Sequence, residues 1–131
     1  AAIAALEGCE LLSVAEADAC VDGGGGAGAA ALMVMPHCDA GLYDRLMASS
    51  RGDPRARARV AVLGNSFAGY AERWEVRREK TAAEGRPVEL LSAAESAREM
   101  HVPHTEDFPT SGAFNDLSLM LFPPPFATDA A

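Results

Sequence analysis

RVAVLGNSFAGYAERW, residues 59–74, decides how this chain folds. Val60, Ala61, Val62 and Leu63 form a short apolar run ending at Gly64, which suits a strand buried on both faces. Gly64 permits a sharp turn. Asn65 or Ser66 then offers a side-chain oxygen to the free N–H groups of a helix start. Tyr70 and Trp74 recur four residues apart, as side chains on one helix face do. The stretch therefore predicts strand, tight turn and helix, with Asn65 and Ser66 displayed at the strand's C-terminal end. In open α/β sheets that edge is where ligands bind.

Downstream, the helix is expected to run to 84, with Gly85 as its stop and Pro87 just beyond. Its outer face sets Glu72, Glu75 and Glu79 against Arg73, Arg77, Arg78 and Lys80, a solvated charged surface. Residues 88–91 (VELL) read as a strand of parallel type. Ser92 then caps a short helix over 93–100, with Glu95 completing a capping box. Residues 101–112 form a proline-punctuated loop. A last strand, 117–122 (LSLMLF), is stopped by three prolines, and 123–131 is a loose tail.

Upstream, Arg51, Arg55, Arg57 and Arg59 crowd a loop containing Asp53-Pro54. Before it lies a helix over 40–49, with Asp39 as N-cap and the pairs Leu42/Leu46 and Tyr43/Met47 on its apolar face. Residues 31–35 (ALMVM) are a buried strand closed by Pro36. The glycine-rich run 22–29 opens into that strand. Phosphate-cradling loops open into a helix, so this run reads as a flexible connector. Residues 9–14 are a short strand candidate, and 1–7 the last turns of a helix stopped by Gly8. Strands separated by helices imply an α/β fold: a Rossmann-like, mostly parallel sheet of about four or five strands with helices on both faces.

With 131 residues the chain is one domain or part of one. Its net charge of −8 repels a phosphate backbone, which argues against direct nucleic-acid binding. The Arg-rich loop is the local exception and reads as solvated. No apolar run approaches the roughly 18–20 residues of a membrane span, so no membrane association is expected. The N-terminus has no signal-peptide layout. Three cysteines, Cys9, Cys20 and Cys38, lack framework spacing and imply reduced thiols in an intracellular protein.

Polar residues gather where strands end. His37 and Cys38 follow one strand, and Asn65 and Ser66 follow the next. If the final strand runs antiparallel, Asn115 and Asp116 before it land on the same edge. One pocket then holds all six. The local alternative is that they are turn and cap residues, placed for backbone hydrogen bonding. Zinc ligands are present in His37, Cys38, His101, His104, Glu106 and Asp107, but without a tight ligand pair, and loop histidines are the simpler reading. The run 64–68 (GNSFA) approaches a serine-hydrolase elbow with Ser66 as nucleophile, yet no histidine follows Asp107 or Asp116. A dinucleotide site would need a strand, a GxGxxG turn and an acid about twenty residues on, which the chain lacks. No cofactor can be named.

Three motifs in order resemble the Sensitivity to Red Light Reduced (SRR-like) family: Met35-Pro36-His37-Cys38 with Leu42-Tyr43, Leu63-Gly64-Asn65-Ser66-Phe67, and Phe114-Asn115-Asp116-Leu117-Ser118. Leu11-Leu12-Ser13 after Gly8 also fits. The resemblance covers the C-terminal part of that domain and implies a partial α/β domain over 1–122, without its first strand–helix unit. It implies a regulatory protein. Plant members are associated with red-light signalling and circadian timing, animal members with clock-gene expression and regulation of haem biosynthesis. Protein or small-molecule partners and a cytoplasmic or nuclear location follow from it. No reaction is established for the family, so His37, Cys38, Asn65, Ser66, Asn115 and Asp116 are pocket or scaffold candidates without catalytic roles. The contrary class is an enzyme, either a nucleotide- or S-adenosylmethionine-type Rossmann protein or a hydrolase using Ser66.

Overall fold

The two apolar runs nearest the deciding stretch pair directly. Strand β1 (Ala31–Met35) lies parallel to β2 (Val60–Asn65), with Ala31 opposite Val60 and Met35 opposite Gly64. The computed structural model describes residues 30–77, 85–103 and 116–124. Within them, β3 (Arg98–His101) and β4 (Leu117–Leu121) complete a four-stranded sheet of order β1-β2-β4-β3. β4 runs antiparallel to both β2 and β3.

The α/β class and the strand number agree with the sequence reading, but strand direction needs correcting. Among the described residues one strand pair is parallel and two are antiparallel, so the sheet is not mostly parallel. The cause lies in residues 88–101. The expected strand at 88–91 is instead the start of a helix, Val88–Ser96, and the expected helix end is β3. A short apolar run cannot be told from a helix by periodicity alone. Here Leu90 and Ala93, three apart, are the buried residues, and Glu89, Leu91 and the alanines favour helix.

Helix α1 (Ala40–Ala48) starts as expected, with the Asp39 carboxylate accepting from Leu42 N–H at 2.9 Å, and buries Tyr43, Leu46 and Met47. The Arg-rich segment, read as loop, contains a single helical turn, α2 (Pro54–Arg57). Asp53 makes it, accepting from Arg55 and Ala56 N–H at 3.0 Å each, with Pro54 preset for the first helical position. Arg51 and Arg57 pair with Glu89 at 2.7 and 3.7 Å, so half of that basic cluster stitches the fold. Helix α3 (Phe67–Arg77) follows β2 at once. Helix α4 (Val88–Ser96) packs against α1 and α3.

These helices share one face of the sheet. Val62, Met120 and Met35 form a buried cluster with Tyr43, Leu46, Met47, Phe67, Leu90 and Ala93. The opposite face presents Leu32 and Val34, 59% and 61% exposed, in register with Ala61 and Leu63. Two expectations change accordingly. Among the described residues the helices lie on one face, and β2 alternates buried and half-buried residues instead of being buried on both sides. Residues 1–29, the helix extension to 84, the loop 104–115 and the tail from 125 fall outside the described residues.

Helix α4 begins at Pro87, which has no side chain able to cap it. The carboxylate of Asp44 on α1 accepts from Glu89 and Leu90 N–H, at 2.8 and 3.0 Å. Capping from another helix ties α4's start to α1. Asp44→Ala is expected to cost about 1–2 kcal/mol, the range of a lost cap, in urea denaturation. A cost under about 0.3 kcal/mol would show that the contact contributes nothing.

Candidate functional site

The turn after β1 and the turn after β2 are joined by one carboxamide. His37 N–H donates to Asn65 Oδ1 at 2.9 Å across 28 residues of chain. The Asn65 Nδ2 group donates to Cys38 O at 3.3 Å and contacts the Tyr70 hydroxyl at 3.1 Å. Tyr70 donates in turn to Cys38 O at 2.8 Å. The Asn65 side chain therefore clamps both sides of the 37–38 turn.

Beneath this clamp lies Tyr43, fully buried on α1. Its hydroxyl donates to Met35 O and accepts from Asn65 N–H at 2.9 Å. It thus pins the ends of β1 and β2 at once. A buried tyrosine hydroxyl needs such partners. Burial pushes the Tyr43 phenol from 10.0 up to about 12, with the backbone hydrogen bond from Asn65 opposing the shift. The ring sits edge-on to Phe67, centroids 5.4 Å apart, and tilts against Tyr70 at 5.8 Å.

The third corner comes from the antiparallel strand. Ser66 N–H donates to Asp116 O at 3.1 Å, which fixes the entry to β4 beside the exit of β2. Ser66 Oγ accepts from Gly69 N–H at 2.9 Å, and Glu99 on β3 accepts from Ala68 N–H at 3.1 Å. Ser66, between β2 and α3, and Glu99 on β3 thus satisfy N–H groups at the N-terminus of α3 that would otherwise be orphaned. Arg73 lies over the Tyr70 ring, 4.7 Å from its centroid, with its guanidinium 3.7 Å from Asp116.

The structure thus brings His37, Cys38, Asn65, Ser66 and Asp116 to one edge, while Asn115 lies outside the described residues. His37 and Asp116 both hold left-handed backbone, φ 58° and 66°. His and Asp enter this region more readily than other non-glycine residues, and such outliers gather at functional sites. Sequence reasoning missed Tyr43, Tyr70, Arg73 and Glu99 as members of this edge. A signal existed for two of them: the chain's two tyrosines, Tyr43 and Tyr70, are each the fourth residue of the helix that follows a strand.

Of the zinc-ligand types considered, His104, Glu106 and Asp107 fall outside the described residues, and His101 sits at the far edge strand. Among the described residues no three His, Cys, Asp or Glu side chains gather. A cavity of about 420 Å³ opens at the opposite end of the sheet near Ser50, Arg57 and Phe122, away from these residues. No described helix is long and apolar enough to cross a membrane.

Cys38 is half-buried, and burial first, the Asp39 charge second, raise its thiol above the usual range. A raised pKa means less thiolate at neutral pH and slower attack on electrophiles. Near pH 8, alkylation of Cys38 by iodoacetamide, followed by mass spectrometry, should run severalfold slower than in a free cysteine. Asp39→Asn, which keeps a capping side chain, should speed it. A rate equal to that of free cysteine would contradict the assigned environment.

Comparison with protein families matches residues 7–121 to the SRR1 domain, the family the three motifs resemble. No curated protein and no solved structure matches the chain.

Proposed function

The chain belongs to the SRR1 domain family, and from that premise we propose that it is an intracellular regulatory protein, acting by binding a protein or small molecule at the shared edge. The processes proposed are those of the SRR-like resemblance: circadian timing, light signalling and regulation of haem biosynthesis, in the cytoplasm and nucleus. One observation carries the reading. Two edge residues, His37 and Asp116, hold left-handed backbone beside the Asn65 hydrogen-bond clamp. Glycine would hold either position without strain, so a role for the two side chains is the natural account.

The chemistry favours binding over catalysis. Asn65 is consumed in holding the turn, and the Ser66 hydroxyl caps α3. Tyr43, with its pKa pushed to about 12, stays protonated at neutral pH. The competing reading is a Rossmann-type enzyme of nucleotides or S-adenosylmethionine.

A thermal-shift panel separates the two. Nucleotides and S-adenosylmethionine should leave the melting temperature of the chain unchanged. Stabilisation by one of them, abolished by Asp116→Gly, would replace the regulatory reading with the enzymatic one. Asp116→Gly suits the test because glycine accepts φ 66° without strain and removes only the carboxylate.

A further inference from the structure

The outer surface of α3 and α4 carries a groove of about 340 Å³ that the shared edge does not use. Ala71, Trp74, Leu91 and Ala94 supply its apolar lining, and Trp74 is half-buried there. Among the described lining residues, three exposed carboxylates, Glu72, Glu75 and Glu95, face one cation, Arg86. The ion pairs among the described residues take Arg51 and Arg57 to Glu89 and Arg73 to Asp116. None neutralises Glu72, Glu75 or Glu95. Val76, 82% exposed, extends apolar surface along the same helix.

An apolar floor edged by carboxylates that no described cation pairs with is complementary to one kind of occupant. We propose that this groove docks a basic amphipathic segment of a partner protein. The segment's apolar side chains would fill the floor, and its Lys or Arg residues would meet Glu72, Glu75 and Glu95. The exposed part of the Trp74 indole adds a face on which a cation can rest. The chain's net charge of −8 steers such a partner towards it and repels acidic ones. This goes beyond the proposed function: it adds a protein-docking surface separate from the shared edge.

The chain contains one tryptophan, Trp74, so its fluorescence reports the groove alone. The full chain is titrated with a short amphipathic Lys/Leu peptide and with the matching Glu/Leu peptide. The Lys/Leu peptide should give a saturable blue shift that weakens as salt is raised, and the Glu/Leu peptide none. The double variant Glu72→Lys/Glu75→Lys, checked for folding by circular dichroism, should bind the Lys/Leu peptide roughly tenfold more weakly. Asp116→Gly should bind it like the unaltered chain, so that a failure of the edge and a failure of the groove are distinguishable. Equal shifts with both peptides, or undiminished binding by the double variant, would overturn the proposal. So would a shift that appears without peptide as protein concentration rises, which would assign the groove to a second copy of the chain.

Discussion

Gly64→Ala should lower stability by about 3 kcal/mol, the upper range for an overpacked core, with a matching fall in the urea midpoint. Gly64 was expected to matter for its conformational freedom at a turn. It lies instead inside β2, opposite Met35, without positive φ. Its importance is closeness. A Cβ placed there would stand 2.5 Å from the Tyr43 hydroxyl and 2.8 Å from Met35 O. Neither neighbour can step aside cheaply. One is strand backbone, and the other is a fully buried hydroxyl bonded to two strands. A paired measurement isolates the cause. In a Tyr43→Phe background the nearest clashing atom is gone, so the added cost of Gly64→Ala should fall by at least about 1 kcal/mol. An alanine tolerated within about 0.5 kcal/mol would remove Tyr43 from the strand ends.

Tyr43→Phe should itself cost about 2 kcal/mol, because it strands Met35 O and Asn65 N–H without their partner in a buried place. The same hydroxyl sets an alkaline limit. In the unfolded chain the phenol releases its proton near 10.0, and in the fold it holds it to about 12. Above the lower value the unfolded state binds fewer protons than the folded one, so stability falls as pH rises. The contribution is whole below pH 10.0 and lost through the window up to about 12. Denaturant titrations across that window should show a downward slope in the unaltered chain that is shallower in Tyr43→Phe. Parallel slopes would mean that the phenol ionises as freely folded as unfolded.

What the sequence disclosed and what it hid follow from the range of the forces. The strand–turn–helix of residues 59–74 was legible because its pattern is local: an apolar run, then a capping serine, then helical spacing. Asp39 as a cap was legible for the same reason. Residues 88–101 were misread because the decisive partner, the Asp44 carboxylate, lies 45 residues away, and four apolar or flanking residues carry no period of their own. The meeting of His37, Asn65 and Asp116 at one edge depended on a single conditional, the antiparallel direction of the last strand, which sequence could state but not decide. The tyrosines were taken for packing residues, since periodicity records which face a side chain occupies and says nothing of what its hydroxyl meets.

The corners after β1 and β2 and before β4 are fastened into a single edge, the first two by the Asn65 carboxamide. Amide hydrogen exchange at His37 and Ser66, read by NMR, tests it most directly. His37 N–H bonds to Asn65 Oδ1, and Ser66 N–H to Asp116 O. Both amides should be protected in the unaltered chain, and Asn65→Ala should release His37 while leaving Ser66 slow. Exchange of both amides at the rate of an unstructured peptide, or protection of His37 that Asn65→Ala does not change, would contradict the account.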